Sequence, residues 1–566
     1  MRLTCTRQIN DALHTSKLIL SKVRNQSAGR RVSDCMNPLS RFASAMLLMA
    51  FAAGVQNHVH MPEEIGHVNL PNSCSAAVGV SLDRGLSLYY SFAYEEARKD
   101  FTQAARSDSR CAMAYWGEAI SEYQPVEGLP EGAQLHAGQE ALARAKNADE
   151  QTPREHAYIE ALGILFDPVT LPNAQSRAES YSAAMGGVHV QYPSDLVAAT
   201  LFALSLLSPE LPDDPSLARK RKALEILNQV LSKEPDDPGV THFIIHASDN
   251  PEMAHLGLEA AYRYAQIAPA SAHALHMPSH IFARLGLWQD DIRSNLASEA
   301  AAADNGATMH TRAQNRLHAM EFLQYAYLQT GQDDKARHIV EQAATIKAGD
   351  LDPGFEGYYG WVEASFPIRF ALETSDWSSA LKLQPSKDAD RDVLRVESWS
   401  HAVAAGHLHD VRAADQAVLD YEATFTKPEL IEEEGHFSGQ LAETRAWALF
   451  AKGDTAGAVS LLRPVADHQD RVGKGEVELP AREMLADMVR LSSQPDAALT
   501  EYKISLQTDP GRFNTLLHAG EVARVFGRKQ EALGFYTLLL QNAIAADTST
   551  NQTLAPARAF LSGQHK

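Results

Sequence analysis

Cysteine is scarce in this sequence, and long apolar runs are absent from its main part. Only 4 of the 566 residues are Cys, which excludes a disulfide-dense scaffold and the paired cysteines of zinc fingers. Apolar residues make up 45% of the chain but are dispersed along it, which excludes a protein with many membrane spans. The length leaves two architectures, either about three or four globular domains or one extended repeat array.

Basic residues are also few, with 51 Lys and Arg against 71 Asp and Glu and a formal net charge of −20. No basic stripe long enough to neutralise a phosphate backbone occurs in the main part, so a nucleic-acid partner is excluded. The charge is uneven along the chain. Residues 1–52 carry +6 and the remaining 514 residues carry −26.

Several motifs of known catalytic sites are lacking. Gly473-Lys-Gly475 has neither the upstream glycine nor the following hydroxyl residue of a phosphate loop. Gly435-His-Phe-Ser-Gly439 places its serine fourth rather than third, which does not fit a nucleophile elbow. The sequence contains no HExxH motif and no calcium loop. Catalytic chemistry must therefore be sought in side chains brought together by the fold.

The positively charged start of the chain contains a segment typical of an export signal. Met36 to Arg41 is a short basic flank, and an apolar run of about a dozen residues with small residues at Ala50 and Ala52 follows it. We therefore predict a signal peptide at 36–52, a dispensable extension at 1–35 and an extended segment at 53–75. The protein would be exported, to the periplasm or outside the cell. In the alternative interpretation, the segment stays uncleaved as an anchor, which would be the protein's one membrane contact.

Removal of the signal would leave two cysteines, Cys74 and Cys111. They lie 37 residues apart, close to one structural repeat, and each precedes a predicted helix. Because successive repeats bring equivalent positions together, this spacing predicts a disulfide. The alternative is two buried, unbridged thiols.

From about Val78 the chain consists of paired amphipathic helices separated by Gly or Asp-Pro. Ala498 and Tyr502 recur 34 residues later as Ala532 and Tyr536. Small residues at such positions let antiparallel helices approach closely, and the aromatic ring fills the gap between neighbouring units. These units resemble tetratricopeptide repeats, whose 34-residue helix-turn-helix pattern they match at several positions each.

The resemblance implies an all-α fold, an α–α superhelix (solenoid) of tetratricopeptide-like repeats at 76–546, with a C-terminal tail at 547–566. An unrelated all-α solenoid would give nearly the same architecture. Repeats of this kind form a concave groove lined mainly by the first helix of each pair. Such a groove commonly binds a protein or peptide partner, so the fold favours a binding or scaffolding module by analogy.

Histidine is concentrated in one block. Of the 23 histidines, 8 fall within residues 240–320, where even spacing would put about 3. They are His242, His246, His255, His273, His276, His280, His310 and His318.

The spacing within this block places polar side chains on single helix faces. His242, His246 and Asp249 stand at i, i+4 and i+7, and His273, His276 and His280 stand at i, i+3 and i+7. His318 and Glu321 follow on a third helix. All three segments fall in the first-helix position of their repeats. The six histidines on them, together with Asp249 and Glu321, are therefore candidate groove-lining, ligand-binding residues.

Imidazoles from neighbouring helices can share a metal ion, because packed helices lie about 8–10 Å apart. We therefore predict one divalent or transition metal ion held by His242, His246, His276 and His280. Asp249 or Glu321 would serve as a further ligand or orient the imidazoles. In the alternative interpretation, the histidines form hydrogen bonds between helices or bind another ligand without metal. Pro278 would kink its helix and re-aim His280.

The whole block resembles a group of exported bacterial tetratricopeptide-repeat proteins. The shared pieces are Pro71 to Cys74, Cys111 to Gly117, His242 to Asp249, and the His-Ala-Leu-His-Met-Pro-Ser-His-Ile-Phe segment from His273 to Phe282. This resemblance implies a fold and no particular reaction.

Two hypotheses follow. The first is an exported scaffold that binds a protein, peptide or small ligand in its concave groove. The second is a metalloenzyme, a hydrolase or oxidase, centred on the histidine block. A separate glycine-rich aromatic segment, Gly354 to Trp361, would either present flat rings to the groove or connect two helices.

Overall fold

The computed structural model describes most of the chain after the predicted signal. The described residues are 65–126, 128–148, 151–212, 214–304, 309–351, 356–387, 389–426, 436–475 and 478–563. The predicted extension at 1–35 and the signal peptide at 36–52 lie outside them.

The described residues form α-helices joined by short connections, with no β-strand among them. In chain order the helices are α1 (Gly79–Tyr90), α2 (Tyr94–Ser107), α3 (Ala112–Ile120), α4 (Gly132–Lys146), α5 (Pro153–Leu165), α6 (Ala174–Gln191), α7 (Leu196–Ser205), α8 (Ala218–Leu231), α9 (Pro238–Ser248), α10 (Ala254–Ile267), α11 (Ala272–His276), α12 (Pro278–Arg284), α13 (Trp288–Asp304), α14 (Met309–Gln329), α15 (Asp333–Ala343), α16 (Glu356–Glu373), α17 (Trp377–Ala380), α18 (Arg391–Leu408), α19 (Val411–Ala423), α20 (His436–Ala451), α21 (Thr455–Val472), α22 (Ala481–Leu491), α23 (Pro495–Thr508), α24 (Phe513–Val525), α25 (Lys529–Asn542) and α26 (Thr550–Ser562).

Consecutive helices pack as antiparallel pairs, and glycines set how closely they approach. A Cβ at Gly117 would overlap the Phe101 ring, and one at Gly520 would overlap the Tyr536 ring. Both rings are fully buried. The predicted all-α, tetratricopeptide-like superhelix is therefore confirmed.

The superhelix turns tightly enough for distant helices to touch. The end of α1 meets α9, where the Tyr90 and Phe243 rings lie 5.4 Å apart between centroids. Further on, Trp288 Nε1 donates to the Gly511 carbonyl at 3.0 Å. Helices far apart in the sequence are therefore in contact.

The ends of the array are also packed. Residues 65–78 form no helix, and a disulfide joins Cys74 to Cys111 with the Cα atoms 4.9 Å apart. At the other end, the segment predicted as a tail forms α26, because Leu554 and Ala557 lie on one helix face and are fully buried. The packed array thus extends to Ser562, beyond the predicted boundary at 546. No helix among the described residues has the length and apolar character needed to cross a membrane.

Candidate metal centre

Helix α9 places the first two histidines. Asp237 caps its N-terminus by accepting from the backbone N–H groups of Gly239 at 2.8 Å and Val240 at 3.3 Å, and Pro238 occupies the first turn. His242 and His246 follow one helical turn apart. His242 is fully buried, and His246 is half-buried.

Two short helices place the next three histidines. Ser271 caps α11 by accepting from the Ala274 N–H at 3.1 Å. Met277 separates α11 from α12, and Pro278 is the first residue of α12. His273 and His276 thus belong to α11 and His280 to α12, while α14 supplies His318 and Glu321.

Six of the eight clustered histidines form two triads. In triad A, His246 Nε2 and His273 Nε2 each lie 3.0 Å from His242 Nε2. In triad B, which is His276, His280 and His318, the Nε2 atoms of His276 and His280 lie 3.1 Å apart. Within each triad, one ring nitrogen per residue lies within 4.8 Å of the others.

The two triads adjoin. The His246 and His280 ring centroids are 6.2 Å apart, and the His273 and His276 centroids are 6.3 Å apart. Within triad B the His280 and His318 centroids are already 5.9 Å apart. The six imidazoles therefore form one continuous cluster.

Hydrogen bonds fix the orientation of four rings through their Nδ1 atoms. His242 Nδ1 donates to the Tyr90 carbonyl at 2.6 Å, and His276 Nδ1 donates to Asn295 Oδ1 at 2.7 Å. His280 Nδ1 lies 3.0 Å from Asp249 Oδ2, and His318 Nδ1 lies 3.3 Å from Glu321 Oε2.

These partners are a carbonyl, an amide oxygen and two carboxylates, all of which accept. In the uncharged form of such a ring, the proton therefore sits on Nδ1 and Nε2 carries a lone pair. When His276 and His280 are both uncharged, their close Nε2 atoms face each other as two lone pairs, which is unfavourable unless a cation lies between them.

A further layer holds these partners in place. Asp249 Oδ1 accepts from Arg284 Nε at 2.8 Å, and Asn295 Nδ2 donates to Asp291 Oδ1 at 2.8 Å. Glu321 Oε2 accepts from the Tyr358 hydroxyl at 3.0 Å. Such supporting contacts are typical of metal-binding histidines.

Burial keeps four of the six imidazoles uncharged. It lowers the pKa of His242, His273 and His276 well below the usual value and that of His246 to about 3, with neighbouring histidines adding to the effect. Burial is the largest single influence on Glu321 and raises its pKa, but the contacts with His318, Arg369 and Tyr358 together outweigh it, so the net pKa is lowered. The centre therefore combines neutral nitrogen donors with a charged carboxylate behind one of them.

Each triad is covered by a phenylalanine. The Phe92 ring lies 4.4 Å from His242 and 5.2 Å from His273, centroid to centroid. The Phe322 ring lies 4.6 Å from His280 and 4.9 Å from His276. Phe92 has a φ of 57°, a left-handed conformation that is costly for a non-glycine residue and concentrates at functional sites.

The structure brings the predicted site residues together, but it groups them differently from the predicted single site. The four predicted ligands divide two and two between the triads, which His273 and His318 complete. Asp249 and Glu321 lie at the Nδ1 side of their histidines rather than among the nitrogen donors. His255 is exposed on α10, outside the triads, and the side chain of His310 lies outside the described residues.

Sequence reasoning missed several residues that support the site. Phe322 stands four residues after His318, a spacing that was available as a signal. Arg284 stands four residues after His280 and offered the same signal. Asn295 and Phe92 carry no such signal, because their contacts depend on how helices distant in sequence pack.

Comparisons with known proteins give no assignment of function. No protein-family profile and no curated protein sequence match the chain. Among solved structures, it is similar to a chain of the APC/C hetero-tetramer Cut9-Hcn1, with 13% identity, a TM-score of 0.32, and coverage of 85% of this chain and 90% of that one. Human IFIT1 dimer with PPP-AAAA gives 11% identity, a TM-score of 0.34, and coverage of 77% and 91%. The P58(IPK) TPR domain gives 13% identity, a TM-score of 0.19, and coverage of 87% and 100%. Because these TM-scores are low, the fold assignment rests on the helix packing itself.

Proposed function

We propose that the protein is a metal-dependent enzyme, a hydrolase or oxidase, with a centre of two metal ions built on a tetratricopeptide-like scaffold. One observation carries this proposal. Six imidazoles converge as two adjoining triads in which four rings are oriented through Nδ1 and leave Nε2 as a donor. Each triad would hold one ion.

The nitrogen separations suit metal binding. Metal–imidazole bonds of about 2.0–2.1 Å place two nitrogens about 2.9 Å apart at right angles and about 3.4 Å apart at a tetrahedral angle. The Nε2 separations of 3.0 and 3.1 Å in the structure lie in this interval. Because uncharged His276 and His280 would point lone pairs at each other without a bound cation, triad B favours a metal ion over a structural hydrogen bond.

The donor set limits the metals. Six imidazoles with no thiolate suit zinc, copper, iron and nickel and do not suit the hard cations magnesium and calcium. Three protein ligands per ion leave a coordination position open, which is the pattern of catalytic rather than structural sites. When bound, such ions supply Lewis acidity or redox chemistry.

The chain's own residues would orient the donors and exclude water. Tyr90, Asn295, Asp249 and Glu321 would hold the rings in one tautomer, while Phe92 and Phe322 shield the triads. The side chain of His318 is 37% exposed, so a substrate would reach triad B at this residue.

We also propose that the protein is exported and that its groove binds a protein or peptide partner. Export is supported by the disulfide between Cys74 and Cys111, since disulfides persist in oxidising compartments, and the mass of the mature N-terminus would test it. Binding of a protein or peptide partner rests on the fold class alone. The buried histidines of α9 and α11 leave little inner surface there for a peptide. We therefore favour metal chemistry over peptide binding as the function of this site.

Elemental analysis of the purified protein after exposure to zinc, copper, iron and nickel tests the main proposal. Wild type should carry about two equivalents of metal per chain, and His273→Ala and His318→Ala should each carry about one. His255→Ala, which changes an exposed histidine outside the triads, should retain two. A metal-free wild type, or variants that keep both ions, would refute the proposal.

A further inference from the structure

Every donor in the metal centre is an imidazole. Triads A and B together offer six ring nitrogens and no carboxylate or thiolate. An imidazole that binds a metal through its lone pair is uncharged, so it does not offset the charge of the ion. Two divalent ions in the triads would therefore bring four positive charges into the protein with no compensation from the donors themselves.

The carboxylates beside the triads offset only part of this charge. Asp249 and Glu321 contact ring nitrogens of triad B at 3.0 and 3.3 Å. Counted in full, they would cancel two of the four positive charges. A third acid, Asp291, lies behind Asn295 rather than against an imidazole. Burial raises its pKa well above the ordinary value, so its carboxyl group is uncharged.

Two buried arginines weaken that compensation further. Arg284 Nε donates to Asp249 Oδ1 at 2.8 Å, and Arg369 Nη2 lies 3.9 Å from Glu321 Oε1. Their side chains are only 5% and 10% exposed, so salt screens these charges little. Two divalent ions and the two carboxylates would thus leave an excess of two positive charges before either arginine is counted.

A lysine adds positive charge beside the triads. Lys220, on α8, is half-buried, and its Nζ atom donates to the Asp249 carbonyl at 3.4 Å. Burial, and after it the charges of His280 and Lys220, lower the pKa of His246 against the opposite effect of Asp249. The ammonium group of Lys220 therefore lies close to triad A and to the carboxylate that supports triad B.

The excess charge and the open coordination positions call for the same kind of ligand. Three protein nitrogens per ion leave at least one position unfilled on each ion. A buried charge is costly unless an opposite charge lies close to it. An anion with oxygen donors meets both requirements, since zinc accepts oxygen as well as nitrogen ligands.

A phosphate monoester group matches the size of this excess. At pH 7 such a group carries a charge of about −1.5 to −2, whereas a carboxylate or a sulfate ester carries a single negative charge. All of its negative charge and three of its oxygens belong to one compact group, which suits two adjoining triads. Paired metal ions are a common means of holding phosphate groups in enzymes.

We propose that the substrate of this centre carries a phosphate monoester group, which binds at the two metal ions with Lys220 beside it. This inference rests on the proposed function and favours its hydrolase form. In the hydrolysis, the oxygen of water would bond to phosphorus while the P–O bond to the alcohol breaks. One proton of the water would pass to the alcohol, giving the free alcohol and inorganic phosphate.

Three phosphorus compounds that differ in charge test the proposal by calorimetry at pH 8. The probes are inorganic phosphate (a dianion), dimethyl phosphate (a monoanion) and trimethyl phosphate (neutral), and the protein is the full chain carrying two zinc ions, with unbound zinc removed. Phosphate should bind at least about tenfold more tightly than dimethyl phosphate, and trimethyl phosphate should not bind. Equal affinities, or no binding of phosphate, would overturn the proposal.

Two further forms of the protein show where phosphate binds. The metal-free chain should not bind it, and His318→Ala, with an ion in triad A alone, should bind it at least about tenfold more weakly than wild type because half of the metal charge is gone. Phosphate binding by the metal-free chain would assign it to surface bases and overturn the proposal. Unchanged affinity in His318→Ala would do the same.

A pair of lysine variants tests the role of Lys220. With two zinc ions bound, Lys220→Gln should weaken phosphate binding about tenfold, because a charge-assisted contact is lost. Lys222→Gln, on the same helix but 53% exposed and paired with Glu225 at 3.0 Å, should bind like wild type. Unchanged affinity in Lys220→Gln, or equal losses in the two variants, would refute the role of Lys220.

Metal content distinguishes failure of this inference from failure of the proposed function. A chain that takes up no metal would refute both. A chain that carries two zinc ions but shows no preference for phosphate over its methyl esters would refute the phosphate monoester substrate and leave the metal centre standing.

Discussion

At the residue scale, the chemistry of each imidazole is set by what its Nδ1 atom contacts. His242 and His276 donate to uncharged oxygens, whereas His280 and His318 face carboxylates. A carboxylate behind a ring makes its other nitrogen a stronger donor. Triad B is therefore the more basic half of the centre.

Glu321→Ala tests this difference. Loss of the carboxylate behind His318 should lower the metal affinity of triad B about 10- to 100-fold and leave triad A unchanged. Glu341→Ala is a matched control, because Glu341 contacts His338 with the same spacing and the same 3.3 Å distance on the exposed face of α15. Metal titration with a competing chelator measures both, and equal losses in the two variants would contradict the assignment.

A second prediction at this scale concerns a carboxyl group far from the metal centre. Burial raises the pKa of Glu397 to about 7 from an ordinary value of 4.5, and its Oε2 atom has no partner among the described residues. The native state therefore keeps a proton that the unfolded state has released. The free energy of unfolding should fall as pH rises from about 4.5 to about 7 and stay level above that.

Glu397→Gln should remove this loss of stability at high pH. We expect the variant to be about 1–3 kcal/mol more stable than wild type at pH 8 and nearly equal to it at pH 4.5, since one pKa unit corresponds to 1.36 kcal/mol. Urea unfolding at the two pH values measures the difference. Glu225→Gln, at an exposed position, is the control, and a pH-independent difference for Glu397→Gln would disprove the account.

The sequence predicts only some of the contacts of the metal-centre residues. Spacing of i and i+4 places His242 and His246 on one face, because the helix repeat alone decides it. The Tyr90 carbonyl that orients His242 lies 152 residues away. No local pattern encodes that contact, and the same holds for Asn295 behind His276.

At the element scale, glycines decide how closely helices pack and therefore where the histidines point. Gly239, in the first turn of α9, lies against the Tyr90 ring, where a Cβ would overlap the ring. This close approach lets the α1 carbonyl reach His242. The predicted role of small residues in the repeats thus extends to the metal centre.

Two glycine substitutions separate packing from helix propensity. Gly117→Ala should destabilise the protein by about 1–3 kcal/mol, because the new methyl group would overlap the Phe101 ring. Gly534→Ala, on a helix position with open space around it, should stabilise the protein by about 0.5–1 kcal/mol. Denaturant midpoints measure both, and a stabilising Gly117→Ala would refute the packing account.

The repeat pattern predicted three first-helix segments as carriers of the cluster, and these correspond to α9, to α11 with α12, and to α14. It did not predict how the histidines divide between two triads. That division depends on Pro278, which starts α12 and sets His280 beside His276. A proline predicts a helix break from the sequence alone, but the direction in which the chain continues after the break depends on packing.

At the scale of the whole molecule, the buried, positively charged side chain of Arg512 connects several helices in the second part of the superhelix. Arg512 is fully buried and forms two hydrogen bonds to Glu483, at 2.7 and 2.8 Å, and an ion pair with Glu373 at 2.9 Å. It also donates to the Tyr325 hydroxyl at 2.6 Å. This residue therefore joins α14, α16 and α22 to the start of α24.

Arg512→Ala should destabilise the protein by about 3–5 kcal/mol, because two buried carboxylates would lose their compensating charge. Arg221→Ala removes the exposed ion pair with Glu252 and should cost less than about 1 kcal/mol. Chemical unfolding followed by circular dichroism measures both. Similar small losses of stability in the two variants would contradict the role of Arg512 in joining these helices.

Composition and repeat length predict the fold class, because an all-α array with a 34-residue period follows from local patterns. They do not predict the tight turn that brings α1 to α9, since that depends on the summed rotation of many repeats. Enclosure of the histidines is a consequence of this turn. The metal centre is therefore a property of the whole superhelix, although its ligands come from one block of sequence.

The most direct test of the central claim is anomalous diffraction at the metal absorption edge from crystals of the metal-loaded protein. The account predicts two peaks, one about 2.0–2.1 Å from nitrogens of His242, His246 and His273 and one at the same distance from nitrogens of His276, His280 and His318. A single ion shared by His242, His246, His276 and His280, or no peak at either triad, would contradict it.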